Sequence, residues 1–321
     1  MLELRNIYKN FGDTEVLKDI NLNIKKGEIV SLLGLSGSGK STILNIISGF
    51  EEACGGKVIY KGRTILDDKV FIEPQNRNIG FVFQNYALFP HMNIYDNITF
   101  GVSKLKKEQK DRIVDGLLKL IDLEGFEKRY PHQLSGGQQQ RIALVRSMAL
   151  NPDLILLDEP FSSVDSMAKS SIQKQLLSIL KNSGKTAIIV THDPNEALAL
   201  SDKIVYLQNG SIVQCDTPQN IYNKPNTKLI AKSFGKANFI KKDEKLICIR
   251  PKYCSLSKKD GDIKAKITDM INYGEYIDIY VSFKYENEKY EFIIIDNMIE
   301  DYNCEDEVFL NIDFSKGVYI K

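Results

Sequence analysis

A chain of 321 residues exceeds what one hydrophobic core usually organises and implies about two domains. With 43% hydrophobic and 26% charged residues and a formal net charge of +1, both signs interspersed, the composition is that of a globular protein and argues against a nucleic-acid-binding surface. No apolar run approaches the ~18 residues a membrane-spanning helix needs, and the opening MLELRNIYKNFG lacks a signal-peptide core, so the chain is expected to stay in the cytoplasm.

In chain order, apolar β-rich runs alternate with helical patterns: IVSLLG at 29–34, IGFVFQ at 79–84, LILLDEP at 154–160 and AIIVTHD at 187–193. This alternation predicts an α/β fold with a largely parallel sheet. Residues from about 91 to 150 interrupt it with segments such as EQKDRIVDGLLKLIDL, which read as an inserted helical subdomain. KIVYLQNGSIVQ then places two strands around Asn209-Gly210, a dipeptide suited to a type I′ hairpin turn. Beyond the helical lead-in of 221–235, KLICIRP, DIKAKITDM, EYIDIYVSF, KYEFIIID and EDEVFLNID alternate as short strands with no helix between them. The expected division is 1–236 and 237–321, the second part a small all-β, OB-like barrel. The five cysteines show no CxxC spacing and the three histidines lie far apart, so reduced thiols and no zinc site are expected.

GLSGSGKS, Gly34 to Ser41, fits G-x-x-x-x-G-K-[ST] and sits between an apolar strand and a helix, the context in which such a loop curls its N–H groups around phosphates. The candidate ATP-binding residues are therefore Gly34, Leu35, Ser36, Gly37, Ser38, Gly39, Lys40, Ser41 and Thr42. Lys40 would reach the β- and γ-phosphates, and Ser41 would ligate Mg2+ together with Asp158 at the end of another strand. Glu159 is the candidate general base for the attacking water, with Pro160 ending the strand beside it.

LSGGQQQR, residues 134–141, is a second anion-binding helix start: Ser135 is a good N-cap, and Gly136 and Gly137 permit close backbone approach. One phosphate loop already exists in the chain, so the economical arrangement is a homodimer in which each LSGGQ closes over the ATP held by its partner. Taken in this order, the motifs over about residues 1–235 resemble the nucleotide-binding subunit of ATP-binding cassette (ABC) transporters, a P-loop NTPase fold. The resemblance implies that Ser135, Gly136, Gly137 and Gln138 contact the partner's γ-phosphate. It also implies that Phe11 stacks on adenine, with Tyr8 a competing stacker. Gln84 would lie near Mg2+ and water, His192 would sense the γ-phosphate, and Ser162 to Asp165 would couple the two sites, Asp165 contacting nucleotide. Leu35 and Val164 depart from the family's more usual proline and leucine, both apolar exchanges.

The family reading makes the chain a peripheral ATPase on the cytoplasmic face of a membrane, with integral-membrane permease subunits as partners, an extracytoplasmic solute-binding protein acting indirectly, and no nucleic acid. NYALFPHMNIYDNITFG resembles the lid-loop region of importers, with Phe89, Pro90 and His91 forming part of the permease contact. The terminal β-rich segment with its IRP resembles the small regulatory (TOBE) barrel of importers of ferric ion, polyamine, sulfate, molybdate and sugars. SGFEEACGGKV, LSGGQQQR and FGKANFI look most like ferric-iron importers, while YALFPHM and GFE are shared with polyamine importers. Two readings from other classes are an ABC-type ATPase acting on nucleic acid or ribosomes, and a P-loop kinase or GTPase, which LSGGQ and the lack of NKxD disfavour.

Overall fold

The computed structural model describes residues 1–162, 164, 166–296 and 302–320, which form two compact units, Met1–Pro218 and Gln219–Lys321. In the first unit the strands are β1 (Leu2–Phe11), β2 (Thr14–Ile24), β3 (Ile29–Gly34), β4 (Gly55–Tyr60), β5 (Arg63–Leu66), β6 (Ile79–Val82), β7 (Leu154–Asp158), β8 (Thr186–Val190), β9 (Lys203–Gln208) and β10 (Ser211–Asp216). Its helices are α1 (Lys40–Ser48), α2 (Ile94–Thr99), α3 (Lys107–Leu120), α4 (Gly136–Met148), α5 (Ser166–Asn182) and α6 (Pro194–Leu200).

One sheet has the order β10-β9-β3-β8-β7-β6 and is parallel throughout except for β10, which returns antiparallel on β9 through Asn209 and Gly210, both at positive φ (50° and 79°) as a type I′ turn requires. Successive residues of its strands serve different cores. Ile29, Ile155, Leu157, Ala187 and Ile189 face the helical side with α2 to α5, while Val30, Leu154, Leu156, Ile188 and Val190 face the other. Burial on both faces explains why these strands read as unbroken apolar runs.

A second sheet, antiparallel with order β2-β1-β4-β5, was not legible beforehand. It closes the far core over α1, whose Ile43, Leu44, Ile46 and Ile47 are all fully buried between the two sheets. Each such side chain stabilises by ~1.5–3 kcal/mol, so the start of α1 is rigidly placed. Between β6 and β7 the chain runs through α2, α3 and α4. Among the described residues no helix is long and apolar enough to cross a membrane.

The second unit contains α7 (Pro218–Asn223, its first residue belonging to the first unit), α8 (Lys228–Ser233) and strands β11 (Asn238–Lys242), β12 (Lys245–Ile249), β13 (Cys254–Ser257), β14 (Ile263–Asn272), β15 (Ile277–Tyr285), β16 (Glu288–Asp296), β17 (Glu307–Ile312) and β18 (Val318–Tyr319). They form antiparallel sheets β11-β12-β18 and β13-β17-β14-β15-β16, which share one core that includes Ile240, Ile249, Ile267, Ile279, Phe292 and Leu310, an OB-like all-β arrangement.

The units divide before the helical lead-in rather than at 236/237, and Arg250 is the reason. Its buried guanidinium donates to the carbonyls of Tyr222 (2.8 Å), Ala231 (2.9 Å), Gly235 (3.2 Å) and Lys236 (3.1 Å) and lies 4.1 Å from the Tyr222 ring centroid. The lead-in is thereby fastened to the end of β12. Arg250→Ala is expected to destabilise this unit by about 1–3 kcal/mol or more, the cost of a buried acceptor left without its donor, and Arg250→Lys to recover only part, because an ammonium cannot reproduce the planar fork. Chemical denaturation of the three proteins checks this; equal midpoints would refute it.

Candidate functional site

The glycines after β3 are dictated by space. A Cβ on Gly34 would meet the Leu207 carbonyl oxygen at 2.2 Å, and one on Gly39, at φ 97°, would meet Leu17 Cδ2 at 2.5 Å. The loop can therefore pass close to β9 and the β1–β2 hairpin and open its backbone onto the start of α1. Lys40, the first residue of that helix, is buried, and its Nζ donates to the carbonyls of Gly34 and Leu35, both at 2.9 Å, and to Ser38 Oγ at 3.4 Å. Burial lowers the Lys40 pKa, while the charges of Glu159 and Asp158 pull it back up. Arg77 secures the opposite end of α1: its buried guanidinium donates to the carbonyls of Ile46 (2.7 Å), Ile47 (2.9 Å) and Ile72 (2.6 Å), and burial lowers its pKa to about 10.

Two carboxylates arrive from the end of β7. Asp158 Oδ1 accepts from Ser41 Oγ at 3.2 Å; burial raises the Asp158 pKa, the Ser41 hydrogen bond opposes this, and the neighbouring Glu159 charge adds to it. Glu159 has φ 44°, a left-handed conformation uncommon for a side-chain-bearing residue and disfavoured again by the proline that follows. Its N–H donates to the Val190 carbonyl at 3.0 Å, holding the conformation. Strain of this kind concentrates at functional sites. Here it brings the carboxylate to Gln84, whose Nε2 donates to Glu159 Oε2 at 3.2 Å, and to His192, whose Nδ1 lies 3.5 Å from the same oxygen.

A cavity of about 530 Å3 is walled by Ser36, Gly37 and Gly39 to Thr42, by Phe11 and Val16 from the β1–β2 hairpin, and by Glu159 and His192. Of the residues singled out from the sequence, Ser36, Gly37, Gly39 to Thr42, Phe11, Glu159 and His192 line the cavity, whereas Gly34, Leu35 and Ser38 join through Lys40, Asp158 through Ser41 and Gln84 through Glu159. Tyr8 does not line it. Ser135, Gly136, Gly137 and Gln138 stand apart from it at the start of α4. There Ser135 Oγ accepts from the Gln138 N–H at 3.4 Å, and the Gln138 side chain accepts from the Ser135 N–H at 3.0 Å, a capping box. Asp165 lies outside the described residues.

Several positioning residues carried no sequence signal. Arg146 of α4 donates to the carbonyls of Ala87 (2.6 Å) and Tyr86 (3.1 Å), and Asn97 of α2 holds Phe89 by accepting from its N–H (2.9 Å) and donating to its carbonyl (3.1 Å). Together they fix the segment that follows Gln84. Lys169 of α5 pairs with Asp193 and Glu196, both at 2.7 Å, at the start of α6 immediately after His192. Val16 lies on the strand that pairs with that of Phe11, whose own register partner is Thr14.

Residues 17–162 match the family described as "ABC transporter". The chain is 49% identical over 243 residues to the spermidine/putrescine import ATP-binding protein PotA of Clostridium novyi, covering 75% of this chain and 69% of that protein. It is 41% identical over 308 residues to PotA of Clostridioides difficile, covering 87% of each. With the Fe(3+) ions import ATP-binding protein FbpC 2 of Haemophilus influenzae it shares 44% over 240 residues, 74% of this chain and 67% of that one. Among solved structures, the dimeric post-hydrolysis state of the ATP-binding cassette MJ0796 bound to ADP and Pi superposes with a TM-score of 0.59 at 37% identity, covering 68% of this chain and 99% of that one. A phosphate loop fitted to its helix, two carboxylates at a strand end and relatives of this length and identity lead to one conclusion: the chain belongs to the ABC transporter family, among the ATP-binding subunits of importers.

Proposed function

We propose that the chain binds and hydrolyses ATP as one half of a homodimer and that this hydrolysis drives solute import through membrane permease subunits. The observation that carries the reading is the convergence of Gln84 and His192 on Glu159 beside the loop of Lys40, while the capped helix start at Ser135 stands outside that cavity. In this reading the loop N–H groups and Lys40 hold the phosphates, Phe11 covers the base, and Glu159 accepts the proton of an attacking water that Gln84 and His192 orient. The crowded glycines and the Ser41–Asp158 pair suit a triphosphate with Mg2+, held by Ser41 and Asp158 with Gln84 nearby; bound there, Mg2+ would neutralise charge on the β- and γ-oxygens. Ser135 to Gln138 of the second copy, with Asp165, complete the chamber.

The permease contact is assigned to the surface at the two ends of the Gln84 segment. Phe50 stacks on Phe83 (5.9 Å between centroids) before it, and Phe89 packs on Phe100 (4.7 Å) after it, with Phe50 and Phe100 half-exposed. Exposed aromatic groups of this kind mark interaction sites. Phe100→Asp with Phe83→Asp is expected to reduce permease co-purification and solute uptake in vesicles at least tenfold while ATP binding is unchanged. An ATPase that associates with no membrane permease would end the transport reading, and strong stimulation by RNA or DNA would favour the nucleic-acid class instead.

For the solute, similarity favours a polyamine: of the two relatives named for spermidine and putrescine, one aligns over 308 residues and the other over 243 at 49% identity, while the one named for Fe(3+) aligns over 240 at 44%. The ferric-iron expectation rests on three short stretches. Specificity lies in the permease and binding protein, so the test is uptake of labelled putrescine against ferric ion in reconstituted vesicles.

A further inference from the structure

A lysine is buried where an apolar residue would be the default. Along β1 the inward positions are Leu2, Leu4, Ile7 and Lys9, and Lys9 is only 8% exposed. Lysine is almost never buried to this degree unless its charge is paired. Its Nζ donates to Glu51 Oε1 at 2.6 Å and lies 4.8 Å from the centroid of the Phe11 ring. Phe11 walls the cavity beside Lys40 and Lys9 does not, so the ammonium meets the ring from outside that cavity.

Local structure aims both side chains. The register of β1 on β2 shifts on either side of Lys9: Ile7 faces Ile20, Lys9 faces Leu17 and Asn10 faces Glu15, so β2 carries an extra residue each time. Bulges of this kind bend a strand and redirect its side chains, and they gather beside active sites. The segment after α1 backs the same stretch. The Cys54 N–H donates to the Tyr8 carbonyl at 2.8 Å, the Asn10 N–H to Cys54 Sγ at 3.4 Å, and the Glu51 N–H to the Asn45 carbonyl of α1 at 3.2 Å. Glu51 is thus anchored to the helix that the phosphate loop opens, and through Lys9 it ties that helix to the aromatic ring.

We infer that Lys9, held by Glu51, is a positioning residue for nucleotide binding: it fixes the Phe11 ring in the plane on which the base stacks. A cation against an aromatic face is attracted by the ring's quadrupole, and a desolvated cation needs a counter-charge, which Glu51 supplies. Half-exposed, Phe11 gains less hold from burial than a core aromatic does. The inference rests on the reading that Phe11 covers the base of ATP.

Affinities of the full chain for ATP and for inorganic tripolyphosphate, which lacks a base, separate the ring from the phosphate loop. Lys9→Met, which keeps the length of the buried side chain, is expected to weaken ATP binding about fivefold or more and to leave tripolyphosphate binding unchanged. Lys9→Arg restores most of the ATP affinity, because a guanidinium also pairs with a carboxylate and packs on a ring. Phe11→Ala is expected to weaken ATP by a similar or larger factor, as loss of a stacking partner does. Lys9→Met added to Phe11→Ala then changes nothing further, the non-additivity of two residues that act as a unit. Parent-like ATP affinity in Lys9→Met, an equal loss of tripolyphosphate binding, or an undiminished effect of Lys9→Met in the Phe11→Ala background overturns the inference and leaves Phe11 in its role. Parent-like ATP affinity in Phe11→Ala overturns the reading of Phe11 itself, and that of Lys9 with it.

Discussion

Glu159→Gln is expected to bind ATP as well as the parent and to turn over about 10²–10⁴-fold more slowly, the usual contribution of a positioned general base. The amide is close in size to the carboxylate and sits on the same left-handed backbone, so the neighbours Gln84 and His192 keep their places. What it cannot do is take a proton from water. Hydrolysis ordinarily ends the closed state, so the variant should accumulate as an ATP-bound dimer, visible by size-exclusion chromatography with light scattering. Lys40→Ala would behave differently, losing nucleotide affinity itself, because the proposed phosphate contact comes from the buried ammonium held 2.9 Å from two loop carbonyls. Parent-like turnover in Glu159→Gln would remove this residue from the role of base.

Ser135→Arg should leave the affinity of a single chain for ATP intact yet lower turnover by about 10²–10³, the scale of losing preorganised donors to a developing anion. Loss of the cap costs about 1 kcal/mol, which α4 withstands because Ile142, Ala143, Leu144 and Val145 are buried along its length. The bulky cation would instead stand where the second copy's triphosphate must approach. Equilibrium nucleotide binding and ATP-driven dimerisation separate the two effects. Normal dimer closure in this variant would count against a chamber shared between copies.

The phosphate loop was legible because its chemistry is local. Gly34, Gly39, Lys40 and Ser41 follow one another at fixed spacing between one strand and one helix, although the crowding that demands glycine at 34 and 39 comes from Leu207 and Leu17 of other strands. The parallel sheet was equally legible, since burial on both faces leaves continuous apolar runs in β3, β7 and β8. The antiparallel sheet of β1, β2, β4 and β5 was not: β1 buries only Leu2, Leu4, Ile7 and Lys9, and the register shifts along β1 break the simple alternation that would have revealed it. Arg77, Arg146, Asn97 and Lys169 were also beyond reach. Each acts on backbone groups or side chains of another element, and nothing in a one-dimensional string says which arginine will find a helix end. The Glu159 backbone strain was similarly hidden, although the proline after it hinted that the strand must stop there.

The grip of Arg146 on carbonyls 86 and 87 makes a crank of the helical insertion. Under the proposed import function, a rotation of α4 would pull through that grip on the chain after Gln84, and so on the amide that donates to Glu159 at 3.2 Å. On that reading Arg146 joins the surface of the helical insertion to the orientation of water, and Arg146→Ala is expected to keep ATP hydrolysis while solute uptake in reconstituted vesicles is lost.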